Sequence, residues 1–181
     1  MNNIKKLRKF FRSFMIDGYL VPKNDDYFNE YVNQSDDRLK FISNFSGSAG
    51  FAVILKKKNY LFVDGRYTIQ GRIQSGKNFK IITMPQKFPR DVLKTKKKLK
   101  IGFDPKLHSE KQLNFLFSIK NIVLIPINKN LIDIIWDKRL KDLNKPFFYL
   151  SKRYAGQSSQ EKIVKVKNML LKNGVDYLLV T

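Results

Sequence analysis

Two short stretches hold most of the side chains that could do chemistry in this sequence. The first is Phe41–Gly50, "FISNFSGSAG", which runs into the apolar segment Phe51–Leu55. The second is "DGRY", Asp64–Tyr67, at the end of a second apolar segment. Small residues beside hydroxyls suggest a phosphate cradle or a nucleophile elbow. A Walker loop, however, needs G-x-x-x-x-G-K-[ST], and Gly50 is followed by Phe51 and Ala52. An elbow needs G-x-S-x-G between a strand and a helix, whereas this loop precedes a strand. The remaining reading is a turn in which Gly47 and Gly50 permit close backbone packing. Asp64 ends an apolar run, a position where a carboxylate is often functional. Pairing with Arg66 or capping the next helix explains it equally well.

The other catalytic chemistries lack their residues. There are no cysteines, so disulfides, thiolate metal sites and Cys nucleophiles are excluded. The single histidine, His108 in "DPKLHSE", stands just before a helical pattern, which predicts a surface or capping role. No H-x-x-x-H or E-x-x-H occurs, and the nearest acidic group, Asp25, Asp26 and Glu30, is explained by a helix start. By residue chemistry alone the segment is not catalytic.

These residues need a scaffold, and the composition supplies one. With 181 residues, 43% hydrophobic and 13% aromatic, the chain can bury a core. The formal net charge of +21 would attract nucleic acid or anionic lipid. The lysines are scattered and accompany abundant Asn, Ile and Phe, as an AT-rich coding sequence would produce, which argues against nucleic acid as a partner. No apolar run reaches membrane-span length, and the basic N-terminus lacks the uninterrupted apolar region of a signal peptide. The expectation is a cytoplasmic protein without a membrane partner.

Periodicity orders the elements. Ile4, Leu7, Phe11, Phe14 and Met15 predict a helix over 3–16, closed by a left-handed Gly18. A short strand, Tyr19–Val21, follows. Ser35 is expected to cap a helix through "DDRLKFIS", with two acids facing its positive end. The segments 51–55 and 60–64 form a hairpin. "RYTIQGRIQSG" has helical spacing through Tyr67, Ile69 and Ile73. Strands at 79–83, 100–104 and 122–127 alternate with a short helix after Pro89, a helix from Ser109 and an apolar turn, "LIDIIW". Irregular alternation with one hairpin predicts an α/β fold, a mixed sheet of about six strands flanked by helices. Residues 138–152 read as a linker. Ser158–Glu161 is a capping box opening a helix through Leu171, and "DYLLVT" is an expected strand. The domains are therefore expected at 1–150 and 151–181, the second being the first helix and strand of a truncated α/β domain.

Six blocks in order, "GYLVPKNDDYFNEYV", "DDRLKFISNFSGSAGFAVIL", "YLFVDGRYTIQGRIQ", "IGFDPKLHS", "NLIDIIWDKR" and "YAGQSSQEKI", together resemble the N-terminal, creatinase-like region of the larger Xaa-Pro aminopeptidases (aminopeptidase P). The resemblance covers nearly the whole chain. It implies two related α/β domains preceding a C-terminal "pita-bread" domain. That last domain holds a dinuclear manganese or zinc site built from two Asp, one His and two Glu, none of which can be placed in this chain. No cofactor is expected on this segment itself.

The resemblance further implies a domain that shapes the substrate entrance for Xaa-Pro peptides and supports a homodimer, partnered by the catalytic domain of the same chain. In the matching motifs the substrate-entrance candidates are Phe45, Ser46, Ser48, Asp64, Arg66 and Tyr67. Arg66 would bind a carboxylate or carbonyl bidentately, or else form a local salt bridge with Asp64. Asn130 and Trp136 are expected to anchor the domain end against its neighbour. The sequence departs from the family pattern at Tyr27, often His, and at Leu140, often Pro, which argues against a direct role for position 27 and for a less rigid linker. Outside this reading stand a basic nucleic-acid-binding module and a non-catalytic homologue.

Overall fold

The computed structural model describes residues 2–94, 97–140 and 146–180. Its contacts divide the chain into two units, Met1–Asp142 and Leu143–Thr181.

The first unit is built on strands β1 (Gly18–Pro22), β2 (Gly50–Leu55), β3 (Asn59–Asp64), β4 (Lys80–Met84), β5 (Leu99–Phe103) and β6 (Ile122–Pro126). They form one sheet in the order β4-β3-β2-β1-β5-β6. β2 runs antiparallel to both neighbours, with Leu20 opposite Val53 and Ala52 opposite Leu61. The other pairs are parallel. The expected mixed six-stranded α/β sheet is what the chain forms.

Alternation along the strands feeds two cores, one on each face. Tyr19, Val21, Ala52, Ile54, Leu61 and Val63 face one core, which also takes Ile4 and Leu7 of α1 (Asn2–Arg8), Leu39 and Ile42 of α2 (Arg38–Ser43), and Leu131, Ile132 and Ile135. Leu20, Phe51, Val53, Tyr60 and Phe62 face the other. The helices that follow are α3 (Thr68–Ser75), α4 (Pro89–Val92), α5 (Glu110–Phe117) and α6 (Leu131–Ile135). Leu113, Leu116 and Phe117 of α5 close the second core.

Several expectations are corrected. The first helix ends at Arg8, and residues 9–15 continue as turns, with Met15 in the left-handed region at φ 51° and the Ile16 N–H donating to the Phe11 carbonyl at 2.9 Å. Gly18 is no cap. It lies in β1, where a Cβ would stand 2.9 Å from the Ile54 carbonyl oxygen. Asp37, not Ser35, caps α2, accepting from the Lys40 N–H at 3.1 Å while Lys23 Nζ donates to its other oxygen at 2.6 Å. No helix starts at Asp25. Its buried carboxylate accepts from the N–H groups of Tyr27 and Asn29, both at 3.0 Å, and so closes a loop on itself. Ile69 and Ile73 are exposed, and α3 buries Gly71 and Ser75 instead. Gly71 faces Ile81 and Val63, where a Cβ would make ordinary contact at 3.6–3.7 Å.

Asn130 and Trp136 each make contacts within this unit. Asn130 caps α6 through the Ile132 N–H and donates to Asp104 at 2.8 Å, and Trp136 stacks on Phe41 at 4.6 Å.

The second unit holds α7 (Lys152–Ala155) and α8 (Ser159–Lys172). The capping box is present: Ser158 Oγ accepts from the Glu161 N–H at 3.2 Å, and Glu161 accepts from the Ser158 N–H at 2.8 Å. The strand expected after it is not formed by the described residues 176–180. A strand is defined by a paired ladder, and the described residues of this unit offer no partner strand. Part of the expected linker, residues 141–145, lies outside the described residues.

Candidate functional site

Because only β2 is reversed, its first residue, Gly50, lies at the same sheet edge as the last residues of β1, β3, β4 and β5. Ligands of open α/β sheets bind at this carboxyl edge. Both chemically distinctive stretches of the sequence arrive there.

The loop leading into β2 leaves α2 at Asn44, whose left-handed φ of 62° turns the chain. Phe45 is fully buried. A Cβ at Gly47 would lie 2.2 Å from the Phe45 ring, and one at Gly50 would lie 2.7 Å from the Phe62 carbonyl oxygen. Close approach, rather than a ligand, accounts for these two glycines. Ser46 is bound through its N–H to Gln74 Oε1 at 2.9 Å, while its Oγ accepts from Gln74 Nε2 at 2.8 Å and from Gln70 Nε2 at 3.1 Å.

The turn after β3 meets this loop. Asp64 accepts from the Arg66 N–H at 3.0 Å and from Arg66 Nε at 2.8 Å. That guanidinium contact, and then the backbone N–H, hold the Asp64 carboxyl below the usual carboxylate range. Arg66 is 72% exposed on its side chain, with its guanidinium carbon 5.5 Å from the centre of the Tyr67 ring. Tyr67 packs edge-on against Phe45 at 5.8 Å, and its hydroxyl lies 2.8 Å from Ser48 Oγ. All six candidate residues therefore fall in one neighbourhood, and both structural readings of Asp64, cap and salt bridge, are present together.

Beside this cluster opens a cavity of about 520 Å³. Phe51, Phe88, Phe115 and Leu116 give it apolar walls, and Asn24, Ser48, Asp64, His108 and Gln112 are among its other lining residues. His108 corrects the expected surface or capping role: it is only 8% exposed, and Ser109 does the capping by accepting from the Gln112 N–H at 3.2 Å. Burial lowers the His108 pKa to about 4, so the imidazole is neutral at neutral pH. Nothing in the spacing of "DPKLHSE" marks this burial, because the cavity is assembled from the ends of several strands and from α5. A sole histidine following the apolar Leu107 was the one available signal.

Among the described residues no three His, Asp or Glu side chains come together as metal ligands, and no helix is long and apolar enough to cross a membrane.

Residues 3–132 match the Creatinase/Prolidase N-terminal domain model. A probable Xaa-Pro aminopeptidase P of Coprinopsis cinerea is 38% identical over 97% of this chain and 30% of its own length. The human Xaa-Pro aminopeptidase 2 is 29% identical over 94% of this chain and 26% of its own. Among solved structures, the X-prolyl aminopeptidase of Caenorhabditis elegans, described as a cytosolic enzyme with a di-nuclear active site, superposes with a TM-score of 0.80. It is 26% identical and covers 96% of this chain and 31% of that protein. The N-terminal domain of Mycobacterium tuberculosis PepQ, 18% identical, shares the fold, with a TM-score of 0.56 over 74% of this chain and 98% of that one. The chain thus spans about 30% of the length of the first curated relatives it matches. With the six-stranded mixed sheet and a family match over most of its length, the chain belongs to the Creatinase/Prolidase N-terminal domain family.

Proposed function

We propose that this chain is the N-terminal, non-catalytic part of an Xaa-Pro aminopeptidase, which removes the N-terminal residue preceding proline. Residues 1–150 are the creatinase-like domain, and 151–181 begin a second domain of related fold. The observation that carries the reading is the correspondence of 97% of this chain, at 38% identity, with a probable Xaa-Pro aminopeptidase P.

The residues of this chain do not fit a dinuclear manganese or zinc centre, since no ligand group of three is present among those described. Such a centre belongs to the catalytic domain of the longer protein. The contribution of this chain is to binding and shape. Asp64 engages the Nε of Arg66 and fixes the turn, while the exposed remainder of the guanidinium donates to a carboxylate or carbonyl of an arriving peptide. Phe45 and Ser48 hold Tyr67 of that turn against the β2 loop, and Ser46 ties the same loop to Gln70 and Gln74 of α3. The domain gates substrate and supports a homodimer, and the protein is cytoplasmic.

The test compares the full-length protein with the 181-residue chain on an Xaa-Pro peptide with Mn²⁺. Turnover is expected only from the longer protein, and turnover by the 181-residue chain alone refutes the reading. Arg66→Ala in the full-length protein is expected to raise KM with little change in kcat, and an unchanged KM removes Arg66 from the entrance. The net charge of +21 favours one other reading, a nucleic-acid-binding module. Tight duplex binding with a steep salt slope at physiological ionic strength would establish it.

A further inference from the structure

The sheet has an open side. β4 is its outermost strand, joined in parallel to β3 from Lys80 opposite Tyr60 to Met84 opposite Asp64, and among the described residues its other edge carries no ladder. An open edge presents N–H and C=O groups at the spacing a further strand would use. Beside it lies a cavity of about 710 Å³. Lys80 and Ile82, which share one face of β4, line it together with Tyr60 and three more lysines, Lys58, Lys87 and Lys94. The four cations come from four segments: the β2–β3 turn, the start of β4, the turn after it and the residues beyond α4. All four are exposed, and among the described residues none is held in an ion pair. Asp91, the carboxylate at this cavity, is engaged by the Phe88 N–H at 2.8 Å. Elsewhere in this unit lysines do find carboxylates, Lys6 at Asp137 and Lys56 at Asp17.

Uncompensated like charges around one cavity repel one another, and an anion relieves them. Lysines on an edge also select among partners. A second copy of β4 would bring the same four cations and is turned away. A phosphodiester backbone matches the charge but has no N–H to give to the carbonyls of the strand. A peptide with acidic side chains on alternate residues meets both demands. Its backbone continues the ladder, and its carboxylates all leave on one face, toward the lysines.

We propose that β4 is the docking edge for an extended acidic peptide segment. The segment adds to the sheet as a further strand beside Lys80–Met84, with its carboxylates turned to Lys58, Lys80, Lys87 and Lys94. The edge is built from this chain alone and holds whether or not the longer protein is an aminopeptidase.

Acetyl-ETETETE-amide is titrated into ¹⁵N-labelled protein while the backbone amides are followed by NMR. Saturable shifts centred on Lys80–Met84 are expected. Acetyl-EPEPEPE-amide carries the same charge but lacks every second N–H, and it should bind about tenfold more weakly. Lys80→Gln with Lys87→Gln should weaken the first peptide about fivefold. Lys162→Gln with Lys167→Gln, which removes the same charge from α8, should leave its binding unchanged. The proline comparison uses the unaltered protein, so it remains decisive if a variant folds poorly. No saturable shift at millimolar peptide, equal binding of the two peptides, or equal weakening by the two pairs of substitutions overturns the proposal. Tighter binding of an oligothymidylate at the same amides overturns it as well and assigns the lysines to nucleic acid.

Discussion

Acidification should destabilise this protein well before its carboxylates protonate, and His108 is the reason. Burial depresses its pKa from 6.5 to about 4. A base with a depressed folded pKa takes up its proton preferentially when unfolded. Its neutral form therefore supports the fold fully above pH 6.5, and that support is lost as pH falls toward 4. At about 1.4 kcal/mol per unit the whole effect is about 3 kcal/mol. About 2 kcal/mol of it should be gone by about pH 5. Against a domain stability of roughly 5–15 kcal/mol that is a large share.

Unfolded carboxylates titrate near about 4, so the window between about pH 7 and 5 reports mainly the imidazole. A side-chain hydrogen bond with Gln112 and then the charge of Asp104 oppose the shift, and burial outweighs both. Urea melts at the two ends of that window should show the midpoint falling at constant slope. His108→Gln, which does not titrate, should flatten the difference. Equal pH sensitivity in the variant, or an imidazole that titrates at its ordinary value in the folded protein, would refute the argument.

Three further outcomes test the scaffold. Asp133→Ala removes the carboxylate that accepts from Arg38 Nε at 2.8 Å and Nη2 at 2.9 Å, leaving a guanidinium that is 5% exposed. The cost should be about 3 kcal/mol in a urea melt, and a neutral result would mean that Asp36, 3.6 Å away, suffices. Gly50→Ala places a Cβ 2.7 Å from the Phe62 carbonyl oxygen and should cost about 1–3 kcal/mol by forcing β2 from β3. An unchanged melting midpoint would contradict that close approach. Ser158→Ala should lower the stability of α8 by about 1 kcal/mol, read as lost helicity by circular dichroism.

The sheet was legible in the sequence because each strand satisfies its own pattern. Phe51 and Val53 against Ala52 and Ile54 need no distant information to declare two buried faces. What escaped was set by contacts across the fold. The apolar spacing of Ile4, Leu7, Phe11 and Phe14 would continue a helix. The chain instead turns at Met15 so that Ile16 enters the core and Asp17 can bond to Lys100 of β5, accepting its N–H at 3.0 Å. Asp37 displaces Ser35 as a cap because the nearly buried Lys23 needs a carboxylate there. The Asp64–Arg66 pair was readable because its partners are two residues apart. The environment of His108 was not, since its walls come from segments between Leu20 and Leu116.

The reversal of β2 ties these observations together. Were β2 parallel to its neighbours, the loop after α2 would reach the sheet at the opposite edge, and Ser48 would lie far from Asp64 and from the mouth of the cavity. Running antiparallel, β2 begins where β1 and β3 end. Gly47 and Gly50 then let that loop lie close against the Phe45 ring and the Phe62 carbonyl. The same loop thus holds the Asp64–Tyr67 turn on one side, through Ser48 and Tyr67, and bounds the His108 cavity on the other.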